Sequence, residues 1–217
     1  QNDVSIENSV VVVGDTLYFS NSGGLVQGWD IGGLAEGEEP ERVFRFWTGD
    51  DTDATLVADT EGMLYVAQEV ERASSAARNA EVGQLLKLDP SRPDDPLVWS
   101  IADDDGLWAT PALVDGVVIA PTHSGRVIGA DAASGEVLWE KQLAFHAWSS
   151  PVVVDDVWIQ GDCDGHLRAY DVADPRAEPT ELWSLALDGC VESTPAVWDG
   201  RIFVGARGGK FYAIGDP

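Results

Sequence analysis

Four side chains that can ligate a metal or bond to one another stand at matched places in the sequence. Cys163 lies two residues before Gly165, and His123 two before Gly125; Cys190 lies seven after Trp183, and His146 seven after Trp139. The pair His123/His146 therefore occupies the same two positions as Cys163/Cys190, one repeat unit earlier. Three chemistries are open to them. Cys163 and Cys190 could form a disulfide in an oxidising compartment, closing a 27-residue interval worth roughly 3 to 4 kcal/mol of loop entropy. They could instead remain free thiols. A zinc ion could be held by His146 and Cys163, completed by His123 or by Asp162 or Asp164, since zinc accepts this mix of nitrogen, sulfur and oxygen. None of these residues has compact metal-motif spacing, and two cysteines are too few for a disulfide scaffold.

Other residues have weaker claims to chemistry. The runs Gly49-Asp50-Asp51-Thr52-Asp53 and Asp103-Asp104-Asp105-Gly106 could offer oxygen ligands to Ca2+. Neither has the spacing of a dedicated calcium loop, so solvated charge is the favoured reading. Trp47, Trp99, Trp139 and Trp183 recur once per unit, which suits packing between neighbouring units better than ligand stacking. Asp131 and Asp171 are expected to close turns through side-chain to backbone bonds, and His166 to sit at the surface. The Ala- and charge-rich insertion from about 68 to 82 has helical propensity and reads as a surface loop, with a lid or partner contact as its sharper alternative. No phosphate-cradling loop, nucleophile elbow or His/Asp/Ser set is present to make a catalytic residue.

The elements that must position these residues are legible as a repeat. Ala109-Thr110-Pro111-Ala112-Leu113-Val114-Asp115-Gly116, Ser149-Ser150-Pro151-Val152-Val153-Val154-Asp155-Asp156 and Ser193-Thr194-Pro195-Ala196-Val197-Trp198-Asp199-Gly200 superpose, with prolines 40 and 44 residues apart. Each reads as a strand, a tight turn and a second strand. A third strand follows in Gly125-Arg126-Val127-Ile128-Gly129-Ala130-Asp131 and Gly165-His166-Leu167-Arg168-Ala169-Tyr170-Asp171, then a fourth bearing the tryptophan. From that tryptophan to the next proline is 12 residues three times: 99 to 111, 139 to 151 and 183 to 195.

Four strands per unit at a period of 40 to 45 residues predict an all-β chain, a β-propeller of four-stranded antiparallel blades. A single domain over 1–217 is expected, with blades at about 7–51, 52–105, 106–146, 147–190 and a partial fifth at 191–217. It reads as a five-bladed ring or a fragment of a larger propeller. The fifth unit lacks its tryptophan strand, and residues 1 to 6, with Val4 and Ile6 apolar, are the candidate to supply it in a closed ring.

These motifs, cleanest in Asp131-Ala132-Ala133-Ser134-Gly135-Glu136-Val137-Leu138-Trp139, resemble the pyrroloquinoline-quinone-like (PQQ-like) repeat. That family includes quinoprotein dehydrogenases and non-catalytic propellers such as the outer-membrane assembly lipoprotein. The dehydrogenase branch implies converging cations for a tricarboxylate cofactor, a calcium ion, a catalytic carboxylate and commonly an adjacent Cys-Cys pair. This chain has no Cys-Cys, and its upper-loop cations are few: Arg207 and the inserted Arg72 and Arg78. The resemblance therefore points to the non-catalytic branch, with no enzyme activity and no cofactor.

Charge narrows the partner. The 217 residues carry 13 Lys+Arg against 38 Asp+Glu, a net charge of −25, which repels nucleic acid and anionic membrane surfaces. Lysine occurs three times only, a balance that suits a halophilic or secreted origin. No apolar run of about 18 residues is present to span a membrane. The resulting expectation is a protein- or ligand-binding scaffold that is extracellular, periplasmic or associated with the cell envelope, with a protein as its partner. A fragment of a PQQ-dependent dehydrogenase and a sensory or carbohydrate-binding propeller are the alternatives.

Overall fold

The computed structural model describes residues 4–71 and 76–215. Among these residues the strands form five antiparallel sheets, each a meander in chain order. Sheet 1 joins β1 (Val11–Val13), β2 (Thr16–Phe19), β3 (Leu25–Asp30) and β4 (Glu41–Trp47). Sheet 2 joins β5 (Val57–Ala58), β6 (Leu64–Ala67), β7 (Leu85–Leu88) and β8 (Leu97–Ile101), with helix α1 (Ala76–Val82) inserted between β6 and β7. Sheet 3 joins β9 (Ala112–Val114), β10 (Val117–Pro121), β11 (Arg126–Asp131) and β12 (Val137–Gln142). Sheet 4 joins β13 (Val152–Val154), β14 (Val157–Gly161), β15 (His166–Asp171) and β16 (Thr180–Ala186). Sheet 5 has three strands: β17 (Ala196–Trp198), β18 (Arg201–Ala206) and β19 (Lys210–Ile214). These are the blades of a β-propeller.

Turn chemistry explains the meander. Asp115-Gly116, Asp155-Asp156 and Asp199-Gly200 all have positive φ at both residues. This is the type I′ geometry, whose twist matches the strands it joins. At the same end of sheets 3 and 4 the third strand closes on an aspartate, opposite the first residue after the turn. Asp131 Oδ1 accepts the N–H groups of Ala133 and Ser134, and Asp171 Oδ1 accepts that of Ala173. The Asp131 carboxyl is held well below the usual range, first by its hydrogen bond from Arg176 and then by those from Ser134.

Residues 1–110 and 111–217 form two compact units. In the first, Tyr18, Val26 and Phe44 of sheet 1 bury against Leu64, Val66, Leu86 and Leu88 of sheet 2. In the second, Val117, Ile119, Val127 and Trp139 of sheet 3 pack with Trp158 and Tyr170 of sheet 4. Ile159 and Leu167 of sheet 4 then meet Val204 of sheet 5. Alternation along each strand supplies these faces, because successive side chains point to opposite sides.

The recurring aromatic is set by register. Trp139 pairs with Gly129, Trp183 with Ala169 and Trp99 with Lys87. A Cβ on Gly129 would strike the Trp139 indole, so glycine there lets the ring lie flat on its neighbour strand. Trp139 is 6% exposed, lies with its ring tilted 34° to that of Trp158 at 6.2 Å and donates its N–H to the Pro175 carbonyl across the sheet boundary. In sheet 1 the residue at this register is Phe44, which pairs with Gly28. Trp47 lies three residues later, opposite Leu25, half exposed and bonded through Nε1 to the Gly23 carbonyl. Trp183 also keeps 37% of its surface exposed. The four tryptophans thus do not share one packing role: Trp139 is enclosed, and Trp47 stands outside the repeat register.

Residues 4–8 do not form a strand. Ser5 exchanges hydrogen bonds with Ser22, and Asn8 reaches Ser20 and Thr52, so this segment lies along sheet 1. Residues 1–3 of the expected closing strand lie outside the described residues.

Candidate functional site

The loops at one end of sheets 3 to 5 gather the residues singled out by type. The β10–β11 turn carries His123, and the β14–β15 turn carries Cys163. Both turns end on glycines with positive φ, Gly125 and Gly165. Gly125 is also needed for close approach, since a Cβ there would meet the Phe145 carbonyl oxygen. That contact seats the β12–β13 connector on the turn and brings His146 over His123.

The two histidine rings lie parallel, 2° apart, with centroids at 5.4 Å. Trp148 stacks on His146 at 4.9 Å, and its indole N–H donates to Nδ1 of His123 at 2.8 Å. Phe145, half exposed, packs on His146 at 4.3 Å. Burial, and then the neighbouring His123, lower the pKa of His146, with Glu192 opposing. The Arg207 guanidinium lies 5.9 Å over the Trp148 ring and pairs with Glu192 at 2.9 Å. The cluster therefore presents stacked aromatic and imidazole planes with the paired Arg207 at their edge, a surface able to hold a planar or apolar side chain.

One repeat further on, Cys163 and Cys190 are joined as a disulfide, with Cα atoms 3.9 Å apart. The Cys163 N–H donates to the His146 carbonyl, and the Arg207 N–H to the Cys190 carbonyl. The disulfide thus ties together the loops that carry His146 and Arg207. The matched positions place both pairs in contact, cysteine with cysteine and histidine with histidine.

The zinc ligand set does not assemble. Cys163 is bonded to Cys190, and the Nδ1 lone pair of His123 accepts the Trp148 N–H. Asp162 and Asp164 clamp the Arg168 guanidinium, and Asp164 also bonds His166 at 2.6 Å. Burial pushes the Asp162 carboxyl up to about 6, while hydrogen bonds from Asp162, Arg168 and His166 outweigh desolvation and keep Asp164 low. Among the described residues the cysteines converge with Glu192, but as a disulfide they are not thiolate ligands.

The first unit holds the acidic run, and here the structure departs from the expectation of solvated charge. Asp50 and Asp51 are 1% and 8% exposed. Asp50 accepts hydrogen bonds from the N–H groups of Asp51 and Glu71 and from the Asn79 amide, and Asp51 accepts that of Thr52. Their oxygens solvate backbone donors of the adjoining residue and of the inserted segment. Burial, followed by the charge of Asp51, pushes Asp53 up to about 7. Burial, followed by the charge of Asp53, pushes Glu69 up to about 8. The insertion forms helix α1, which buries Asn79 and Val82, and beside it is a cavity of about 430 Å³ lined by Asp50, Glu71, Asn79 and Asp103. Arg78 donates to the Trp47 carbonyl and pairs with Glu81; Arg72 lies outside the described residues. Asp104 and Asp105 are exposed, as expected of solvated charge.

Sequence reasoning did not find Phe145, Trp148 or Glu192. The signal for the first two was a second aromatic cluster, Phe145-His146-Ala147-Trp148, falling where the repeat gives a connector rather than a strand.

Comparison with known proteins agrees with this architecture. Residues 83–178 match the family model described as outer membrane protein assembly factor BamB. Among solved structures, BamB from Moraxella catarrhalis superposes with a TM-score of 0.74 at 18% identity, covering 99% of this chain and 60% of that one. The computationally designed Ika8 protein superposes with a TM-score of 0.72 at 13% identity, covering 95% of this chain and 57% of that one. At such identities these likenesses show the fold alone. The quinohemoprotein alcohol dehydrogenase ADH IIB of Pseudomonas putida is 31% identical over 137 residues, which cover 54% of this chain and 19% of the dehydrogenase. The chain thus spans three fifths of the solved BamB and about a fifth of the dehydrogenase. Repeat, blades and likenesses converge on one assignment: the chain is a β-propeller, and its residues 83–178 match the PQQ-like repeat family.

Proposed function

We propose that this protein is a non-catalytic propeller scaffold of the cell envelope or its exterior, binding a protein partner through the loops that carry His123, Phe145, His146, Trp148 and Arg207. The observation that carries this reading is the aromatic cluster itself. It is held on tight turns tied by the Cys163–Cys190 disulfide, yet it leaves Phe145 half exposed and the Arg207 side chain 67% exposed at its rim. Aromatic and arginine side chains on a rigid support are what interface centres are made of. The likeness to an outer membrane protein assembly factor supports a partner that is a protein, and the disulfide suits an oxidising compartment. No helix of the described residues is long and apolar enough to cross a membrane.

The residues present do not suit a tricarboxylate quinone. Arg207 of these loops is paired with Glu192, and Lys210 at the start of β19 with Asp188, so an added trianion would compete with carboxylates already in place. In the first unit the corresponding loops bury Asp50 and Asp51. Fold likeness alone does not assign an activity.

The test is capture from an envelope extract, with wild type, Trp148→Ala and a deletion of the 68–82 insertion in parallel. Retention of one partner by wild type and the deletion, with loss in Trp148→Ala, supports the reading. Loss with the deletion alone would move the site to the first unit. Bound-cofactor absorbance and dye reduction on adding PQQ and Ca2+ would overturn the non-catalytic assignment.

A further inference from the structure

The boundary between sheets 1 and 2 is packed with smaller side chains than the boundary between sheets 3 and 4. Register gives the equivalence. Phe44 pairs with Gly28 as Trp139 pairs with Gly129, and the pair Leu64↔Leu88 stands where sheet 4 has Trp158↔Tyr170. Two indoles and a phenol therefore fill one boundary, with Trp158 stacked on Tyr170 at 4.4 Å. A phenyl ring and two leucines occupy the same places in the other.

The smaller set leaves a cleft. Between sheets 3 and 4 the Trp139 indole lies on Gly129 and donates its N–H to the Pro175 carbonyl in the β15–β16 loop. Over Gly28 lies the Tyr18 ring instead, and Phe44, edge-on to it at 6.2 Å, has no N–H to reach the corresponding β7–β8 loop. That loop has the same opening turn, since Asp89 accepts the Ser91 N–H as Asp171 accepts that of Ala173. Between them is a cleft of about 350 Å³, lined by Tyr18, Val43 and Phe44 of sheet 1 and by Met63 and Pro90 of sheet 2. Its size is within the range of small-molecule sites, and an apolar space left by missing side-chain atoms can take an aromatic ligand. Two carboxylates border it, Asp89 and the exposed Glu61. Asp89 pairs with Arg92 at 3.5 Å, whereas Glu61 has no ionic partner among the described residues.

We propose that this cleft binds a small planar aromatic amine, its ring of indole size held between Phe44 and Pro90 and its ammonium group at Glu61. The boundary of sheets 3 and 4 specifies the ring, because an indole fills that register there and bonds to the equivalent loop. Glu61 specifies the cation, and the net charge of −25 favours it over an anion of the same shape. The site lies within the first unit and does not depend on the aromatic loop cluster.

The test is isothermal titration calorimetry of the whole chain with tryptamine at about 0.15 M salt, which screens general attraction to the acidic surface. Saturable binding to one site with a Kd below about 1 mM is expected. Butylamine carries the charge without the ring, and indoleacetate carries the ring with the opposite charge. Each should bind at least about tenfold more weakly than tryptamine. Phe44→Trp restores the indole that sheet 3 has at this register, and should weaken tryptamine binding at least about tenfold by filling the cleft. Ser91→Trp, at the exposed rim, should weaken it comparably without altering the core, and urea unfolding identifies which variants are folded. No saturable tryptamine binding, equal binding of either comparison compound, or tryptamine binding unchanged in a folded variant would overturn the proposal.

Discussion

The indole N–H of Trp148 donates to Nδ1 of His123 at 2.8 Å, and this one bond fixes the chemistry of the histidine. An Nδ1 that accepts carries no proton, so the neutral ring holds its hydrogen on Nε2. Nitrogen-15 NMR of the imidazoles at pH 8 should show the Nε2–H tautomer for His123 in the wild type and a mixture in Trp148→Phe. An Nδ1–H tautomer in the wild type would contradict the geometry.

The register of sheet 1 distinguishes two aromatic residues three apart. Phe44 is 3% exposed in the core, while Trp47 is 49% exposed. Phe44→Ala should cost about 3 to 5 kcal/mol, as for other buried aromatics. Trp47→Ala should cost under about 1.5 kcal/mol, losing half-exposed surface and one hydrogen bond. Urea unfolding of both variants gives the order.

Glu69 supplies the pH dependence. Its folded pKa is raised to about 8, by burial first and then by Asp53 and its acidic neighbours, whereas the unfolded value is that of an ordinary glutamate. The folded state then holds a proton that the unfolded chain releases, so stability falls as pH rises from about 4.5 to 8. Asp53, raised to about 7, acts in the same direction. Glu69→Gln should therefore raise the melting temperature at pH 8.5 by several degrees and change it little at pH 5. An equal shift at both pH values would show that Glu69 is not held protonated.

Cys163 and Cys190 close a 27-residue interval. Thiol titration in denaturant should find no free thiol before reduction and two after it. Cys163→Ser with Cys190→Ser should lower stability by roughly 3 kcal/mol through the unfolded chain. Two thiols without reductant would remove the disulfide from the account.

Much of this architecture was legible because repeats constrain one another. The equivalence of His123 with Cys163, and of His146 with Cys190, placed both pairs in adjacent loops before any coordinates. What they do there was not legible. A stacked ring pair and a zinc site draw on the same residue types, and the choice rests on Trp148, which stands three residues before Pro151 as Trp108 stands three before Pro111 and so reads as one more repeat tryptophan. The Phe44 register was present in the sequence but masked by composition. The 12-residue interval that links Trp139 to Pro151 also links Phe44 to Leu56, where leucine stands in place of proline, and Trp47 drew attention as the nearer tryptophan. The burial of Asp50 and Asp51 left no composition signal, because a carboxylate that accepts backbone N–H groups looks in sequence like one facing water.

The central claim is that the loop cluster around Trp148 contacts a protein. Site-specific photo-crosslinking tests it most directly, with a photoreactive side chain at position 145 in the cluster and, as a control, at position 155 in a hairpin turn. In envelope extract, position 145 should give one discrete adduct that disappears in Arg207→Ala, and position 155 should give none. An adduct from position 155 with none from 145 would contradict the claim, as would a 145 adduct indifferent to Arg207→Ala.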